Sequence, residues 1–235
     1  MNVKRFFHIF LIVFFVSVFL ALMITSTTQI SLKTSAMPSK TIPHIVIDAG
    51  HGGEDGGAVN GEVLEKTINL SIAKNTCDYL RFLGFETEMT RTDDQDLSTE
   101  GENTKERKYN DMKKRLQIFN ASQNNVVMSI HQNQFSDISS HGTQVFYSPN
   151  HENSLRLADA IKHSVTAQLQ PENERQSKPA GKEIFLLKNA TVPAVIVECG
   201  FLSHPAEREK LIQDSYQKDI SFAITTGFLD YWNTN

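Results

Sequence analysis

Ile45-Val-Ile-Asp-Ala-Gly-His-Gly-Gly-Glu-Asp-Gly-Gly57 decides how the rest of the chain is read. A short apolar run leading into a glycine-rich turn reads as a buried strand, and the turn presents His51. Two later runs share this form: Val126-Val-Met-Ser-Ile130 ends on His131, and Ala194-Val-Ile-Val197 ends on Glu198. In an open α/β sheet the chemistry gathers outside the carboxyl ends of the strands. Polar groups at three strand ends therefore predict one convergent site, which we read as a metal site.

Outward from these strands the period changes. Ile68, Ile72, Leu80 and Leu83, with Leu70, Ala73 and Cys77, recur at helical spacing, and Gly84 marks the helix end. Glu65 stands in the first turn of that helix, where a carboxylate suits either the helix start or a reach toward His51. Phe85 to Thr90 alternates like a strand, and Tyr109, Met112, Leu116 and Phe119 make an amphipathic helix with a basic face read as solvated. The acidic loop between them (Asp93, Asp94, Asp96, Glu100, Glu102) reads as solvated surface or as the rim of a site. A strand is expected over 143–148, a helix over about 152–170, a loop over 171–182, a short strand near Ile184-Phe-Leu-Leu187, and helices from Ser203 onward. Alternating strands and helices of this length predict an α/β fold with a largely parallel sheet.

Residues 1–25 read as a signal peptide or membrane anchor: Lys4 and Arg5 precede an apolar run from Phe6 to Thr25, long enough for either. The positive charges should stay in the cytoplasm and send the rest across the membrane. Residues 26–42, rich in Ser, Thr, Lys and Pro, read as a linker, and 43–235 as one catalytic domain. A formal charge of −4 without a basic block argues against a nucleic-acid partner. Two distant cysteines make no framework: Cys77 reads as a buried thiol, and Cys199 has no base beside it to make it a nucleophile.

A catalytic zinc takes three protein ligands and leaves a position for water, and His51, Glu65 and His131 supply a His-Glu-His set. Water on such a metal ionises near pH ~7. A further carboxylate must take the proton and hand it to a leaving amine, and Glu198 is the candidate. Spacing alone is a weak signal, because this is not the helical H-E-x-x-H pattern.

Asp48-Ala-Gly-His-Gly-Gly53, Glu65, Ser129-Ile-His131 and Val197-Glu-Cys-Gly-Phe-Leu-Ser203, in this order, resemble the zinc-dependent N-acetylmuramoyl-L-alanine amidases of bacterial cell walls. The resemblance covers about 43–233. It implies one zinc ion on His51, Glu65 and His131, Glu198 as general base, and a sheet of about six strands flanked by helices on both faces. It implies hydrolysis of the amide between N-acetylmuramic acid and the L-alanine of the stem peptide. A lone catalytic domain behind a leader, the Asp-rich insertion after Thr90-Arg91 and the Asp111-Met-Lys-Lys-Arg115 segment resemble the germination-specific (CwlD) type. That type strips stem peptides from spore cortex on the way to muramic-δ-lactam, in the space around the developing spore.

Gln132-Asn133 stands where the family commonly has Ala-Asn or Ala-Asp, and His204 where Asn is usual. His204 is expected to cap a helix, with a place near Glu198 as the alternative. His44, His141, His151 and His163 are expected at the surface. Residues 148–182 are too few for the self-blocking helix of some division amidases, so control is expected from expression, location or a separate activator or targeting protein at the membrane. Two other readings compete: a zinc peptidase on stem peptides, and a non-catalytic peptidoglycan-binding protein. Substrate-binding residues are not legible.

Overall fold

The structure, a computed structural model, describes residues 13–20 and 41–234. Chain contacts divide it between Ile42 and Pro43. Residues 13–20 form a helix, α1. The rest of the expected leader and nearly all of the expected linker lie outside the described residues. Among the described residues no helix is long and apolar enough to cross a membrane.

From Pro43 onward one six-stranded sheet runs in the order β4-β1-β5-β8-β6-β7, where β1 is His44–Ala49, β4 Thr87–Met89, β5 Asn125–Asn133, β6 Gln144–Tyr147, β7 Lys178–Pro179 and β8 Ala194–Phe201. β4, β1, β5 and β8 are mutually parallel. β6 pairs antiparallel with β8, and β7 follows β6, so the sheet is mostly parallel with a reversed edge. The short β2 (Val59–Asn60) and β3 (Val63–Leu64) form a separate hairpin.

The period of two sorts the central strands between two cores. Ile45, Ile47 and Ala49 of β1, with Met128, Ile130, Val195 and Val197, pack on one face. There they meet α2 (Glu65–Phe82), α4 (Asn153–Leu169) and α7 (Asp214–Thr234). Val46, Val127, Ala194 and Ile196 face the other way, toward α3 (Thr104–Phe119) and α5 (Phe185–Asn189). A strand buried on both faces has to be apolar at every position, which is why these three read as unbroken runs. The architecture is α/β, with helices on both faces of the sheet.

Four expectations change. The run Ile184-Phe-Leu-Leu187 leads into helix α5 rather than forming a strand. Four apolar residues carry no usable period, and here Leu186 and Leu187 cover one sheet face as a single turn. Within the loop expected over 171–182, β7 adds a two-residue edge strand. His44 lies within β1, half-buried and bonded to Asn125 Oδ1 at 3.2 Å, instead of standing free at the surface. Half-burial also sets His151 apart from the exposed His141 and His163; its Nδ1 accepts from Asn153 N at the start of α4.

Strand order places the site. The chain leaves β1 through α2 to β4 on one side, then crosses through α3 to β5 on the other. That reversal opens a crevice beyond the carboxyl ends of β1 and β5. Register aligns Ala49 with Ile130, and His131 with Glu198, so the end of β1 lies level with His131 and Glu198, while β5 and β8 run on to Asn133 and Phe201.

Candidate metal centre

His51 follows β1 in a backbone conformation that L residues resist, with φ of 60°. Its ring is fixed from behind: Nδ1 lies 2.8 Å from Asp55 Oδ2, and Lys108 Nζ holds the other oxygen of Asp55 at 2.8 Å. Bonding at Nδ1 leaves Nε2 to face the crevice, 3.3 Å from Glu65 Oε1. His131, at the end of β5, brings Nδ1 to 2.9 Å from the same oxygen. Its ring lies so close over Gly50 that a Cβ there would overlap it, which explains a glycine at that position.

Glu65 opens α2 and is buried. Its Oε1 accepts from Gln132 N and Asn69 Nδ2, both at 3.1 Å, and its Oε2 accepts from Ala58 N at 2.7 Å. A side chain at Gly57 would strike both Glu65 and His51, so the turn packs directly on the cluster. Ligand-capable atoms of His51, Glu65 and His131 all lie within 4.8 Å of one another. Two imidazole nitrogens and a carboxylate oxygen converging at this distance fit a small divalent cation of the zinc kind.

Glu198 sits on β8 beside His131. It has period-two parity with Ile196 as His131 has with Ser129, and both come out on the α3 and α5 face. The residue is partly exposed, but its Oε2 is buried and has no hydrogen-bond partner. Buried carboxylate oxygens are rarely left without a partner, and this one lies beside the ligand-capable cluster.

The charges follow from these contacts. Burial pushes Glu198 up to about 7, reinforced by Glu65 and opposed by His131 and His51. For Glu65, burial works against the charge, but the hydrogen bonds of His131 and His51 outweigh it and hold the carboxyl well below the usual range. Burial likewise opposes a charged His51, yet Asp55 and Glu65 raise it to about 9.

A cavity of about 360 Å³ opens beside His51 and His131 and runs between α3 and α5, with Met112, Ile184, Phe185 and Ile196 as apolar wall. The acidic loop rims the turn: Asp94 accepts from Gly53 N and pairs with Lys66, and Asp96 accepts from Glu54 N. His204 caps α6 (Pro205–Leu211), its Nδ1 accepting from Glu207 N at 3.2 Å. Cys77 and Cys199 are both buried and unpaired.

Reading the sequence missed Arg115. The basic face of α3 reads as solvated, yet Arg115 is 2% exposed and lines the cavity. It bonds Asp48 and Asp111, each at 2.6 Å. Its signal was helix phase, since residue 115 falls between Met112 and Phe119 on the buried stripe.

A family model for N-acetylmuramoyl-L-alanine amidases matches residues 45–230. The germination-specific N-acetylmuramoyl-L-alanine amidase of Bacillus subtilis is 35% identical over 189 residues, covering 80% of this chain and 79% of that protein. Among solved structures, the CwlD amidase of Clostridioides difficile, in complex with the GerS lipoprotein, superposes with a TM-score of 0.79 at 34% identity. That match covers 82% of this chain and all of that one. The catalytic domain of the amidase CwlV from Paenibacillus polymyxa gives 0.67 at 27% identity, covering 82% of this chain and 99% of that domain.

Proposed function

The chain belongs to the N-acetylmuramoyl-L-alanine amidase family, enzymes of the peptidoglycan, and on that premise we propose a single zinc ion on His51, Glu65 and His131 with Glu198 as general base. The observation that carries this reading is the convergence of the three ligand-capable groups beside a carboxylate oxygen with no partner. Zinc in such a site polarises the scissile carbonyl and lowers the pKa of water.

The protein's own groups do the rest. Glu198, as carboxylate, takes the proton from the attacking water. It then returns the proton to the nitrogen of L-alanine as the amide breaks, so one group serves as base and then as acid. A pKa near 7 suits both halves of that exchange. Asp55 keeps the proton of His51 on Nδ1 and the lone pair on Nε2.

Likeness to a germination-specific relative supports spore-cortex peptidoglycan as the substrate, with stem-peptide removal as a step toward muramic-δ-lactam. The leader expected in residues 1–25 and the extracytoplasmic substrate support action outside the cytoplasmic membrane, around the developing spore. The related CwlD amidase forms a complex with a lipoprotein, which supports an activating or targeting protein at the membrane as partner here.

Product analysis tests the reading. Purified peptidoglycan is digested by the wild-type protein and by Glu198→Ala, with zinc content measured in both. Expected are free stem peptides with an L-alanine amino terminus, lost in the variant while zinc is retained. Cleavage within the stem peptide would overturn the amidase reading in favour of a peptidase.

A further inference from the structure

Three consecutive carbonyls at the end of β1, those of Ala49, Gly50 and His51, are gripped by two buried guanidinium groups. Arg91 donates from Nε to Ala49 O and from Nη2 to Gly50 O, both at 2.9 Å. Arg115 donates from Nη1 to Ala49 O at 2.8 Å and from Nη2 to His51 O at 2.7 Å. Among the described residues His51 is the one non-glycine residue with positive φ. Such a backbone persists only where its surroundings over-determine it. Arg115 is itself braced by Asp48 and Asp111, so its planar fork cannot swing away from the turn.

The same helix reaches His51 a second way. Lys108, Asp111 and Arg115 lie three and four residues apart on α3 and therefore share one face. Lys108 holds Asp55, and Asp55 holds the His51 ring. Helix α3 contributes no ligand-capable group to the cluster, yet it fixes one ligand by both carbonyl and imidazole. We propose that Arg115 and Lys108 are positioning residues for His51, and that α3 thereby sets the metal affinity of the site from outside it. This rests on the reading of His51 as a metal ligand.

The test is the Zn²⁺ affinity of the metal-free full-length protein, measured by competition with a chromogenic chelator at fixed pH and salt. Urea unfolding is followed in parallel. Arg115→Lys keeps the charge but loses the fork, and should weaken zinc binding by about 10- to 100-fold, the range for outer-sphere partners of metal ligands. Lys108→Met, at a half-exposed position, should weaken it about 3- to 10-fold with little change in unfolding midpoint, and Lys108→Arg should restore it. In a His51→Ala background Lys108→Met should change zinc binding no further, because the effect passes through His51. A merely structural role would move the unfolding midpoint and leave affinity alone.

If the wild type binds zinc through His51 while Lys108→Met and Arg115→Lys bind within twofold of it, the positioning role is overturned and the metal reading stands. If His51→Ala binds as tightly as wild type, the metal reading itself fails and takes the inference with it. Should Arg115→Lys not fold, Lys108→Met decides alone.

Discussion

Glu65 and Glu198 are two carboxylates at one site, and the protein treats them in opposite ways. Both oxygens of Glu65 are occupied by backbone and side-chain donors, and its charge is held firmly. Glu198 Oε2 is buried with no partner, and its ionisation is pushed up to about 7. A saturated carboxylate has little freedom to move or to take a proton, which suits a ligand. An undersatisfied one is poised to exchange a proton at neutral pH, which suits a base. The difference comes from their elements: Glu65 starts a helix among loop amides, whereas Glu198 lies within an apolar strand.

The largest effect should come from replacing Glu198. Glu198→Gln keeps the shape and should lower kcat by about 10²- to 10⁴-fold, the range for general acid–base groups, with zinc content unchanged. Loss of zinc along with activity would erase the contrast and make Glu198 a ligand. The same variant has a stability signature. A raised folded-state pKa means that the contribution of Glu198 is fully present below 4.5 and is lost as pH rises through about 7. In the metal-free protein at alkaline pH, Glu198→Gln should therefore stabilise the fold, by roughly 1–3 kcal/mol. Urea unfolding across pH checks this sign.

The ligand side should respond through the metal instead. His131→Ala and Glu65→Ala should each weaken zinc binding by more than about 100-fold, read by chelator competition. If zinc binds at His51, it must displace a proton from a ring whose pKa Asp55 and Glu65 raise to about 9. Affinity should therefore rise with pH below that value, by up to about tenfold per unit. Asp55→Asn removes the strongest support for the charged ring and should flatten that slope. An unchanged slope would detach Asp55 from the titration. The stabilisation that His51 gains from its proton runs the other way: fully present below 6.5, it is lost as pH rises through about 9.

What could be read from the chain depended on how locally each feature is encoded. β1, β5 and β8 were legible because burial on both faces demands unbroken apolar runs, and the polar residues that follow those runs, His51, His131 and Glu198, marked the site. Glu65 was legible as the opening of α2, although its reach to both histidines depends on how the helix packs. The direction of β6 has no local signature, because β5 and β6 are separated in the sheet by a strand that comes later in the chain. Arg115 was hidden in Lys113-Lys-Arg115, where neighbouring basic residues look alike and only one step of helix phase separates a solvated lysine from a buried arginine. Asp55 looked like part of a flexible glycine turn, and its bond to His51 is a tertiary fact.

Cys199 gives the smallest expected effect and the most direct control on the comparison, because it adjoins Glu198 on β8. Strand alternation sends its side chain to the opposite face, into the core shared by α2, α4 and α7. Burial, aided by the neighbouring charge of Glu198, raises its thiol well above the usual range, so no thiolate is available for attack. Cys199→Ala should therefore leave kcat within about twofold while costing roughly 1 kcal/mol or more of stability from the space vacated in a packed core. A thiol reagent should label the native protein no faster than it unfolds. Rapid labelling with loss of activity would place a reactive sulfur at the site, and the division of labour between Glu65 and Glu198 would have to be redrawn around it.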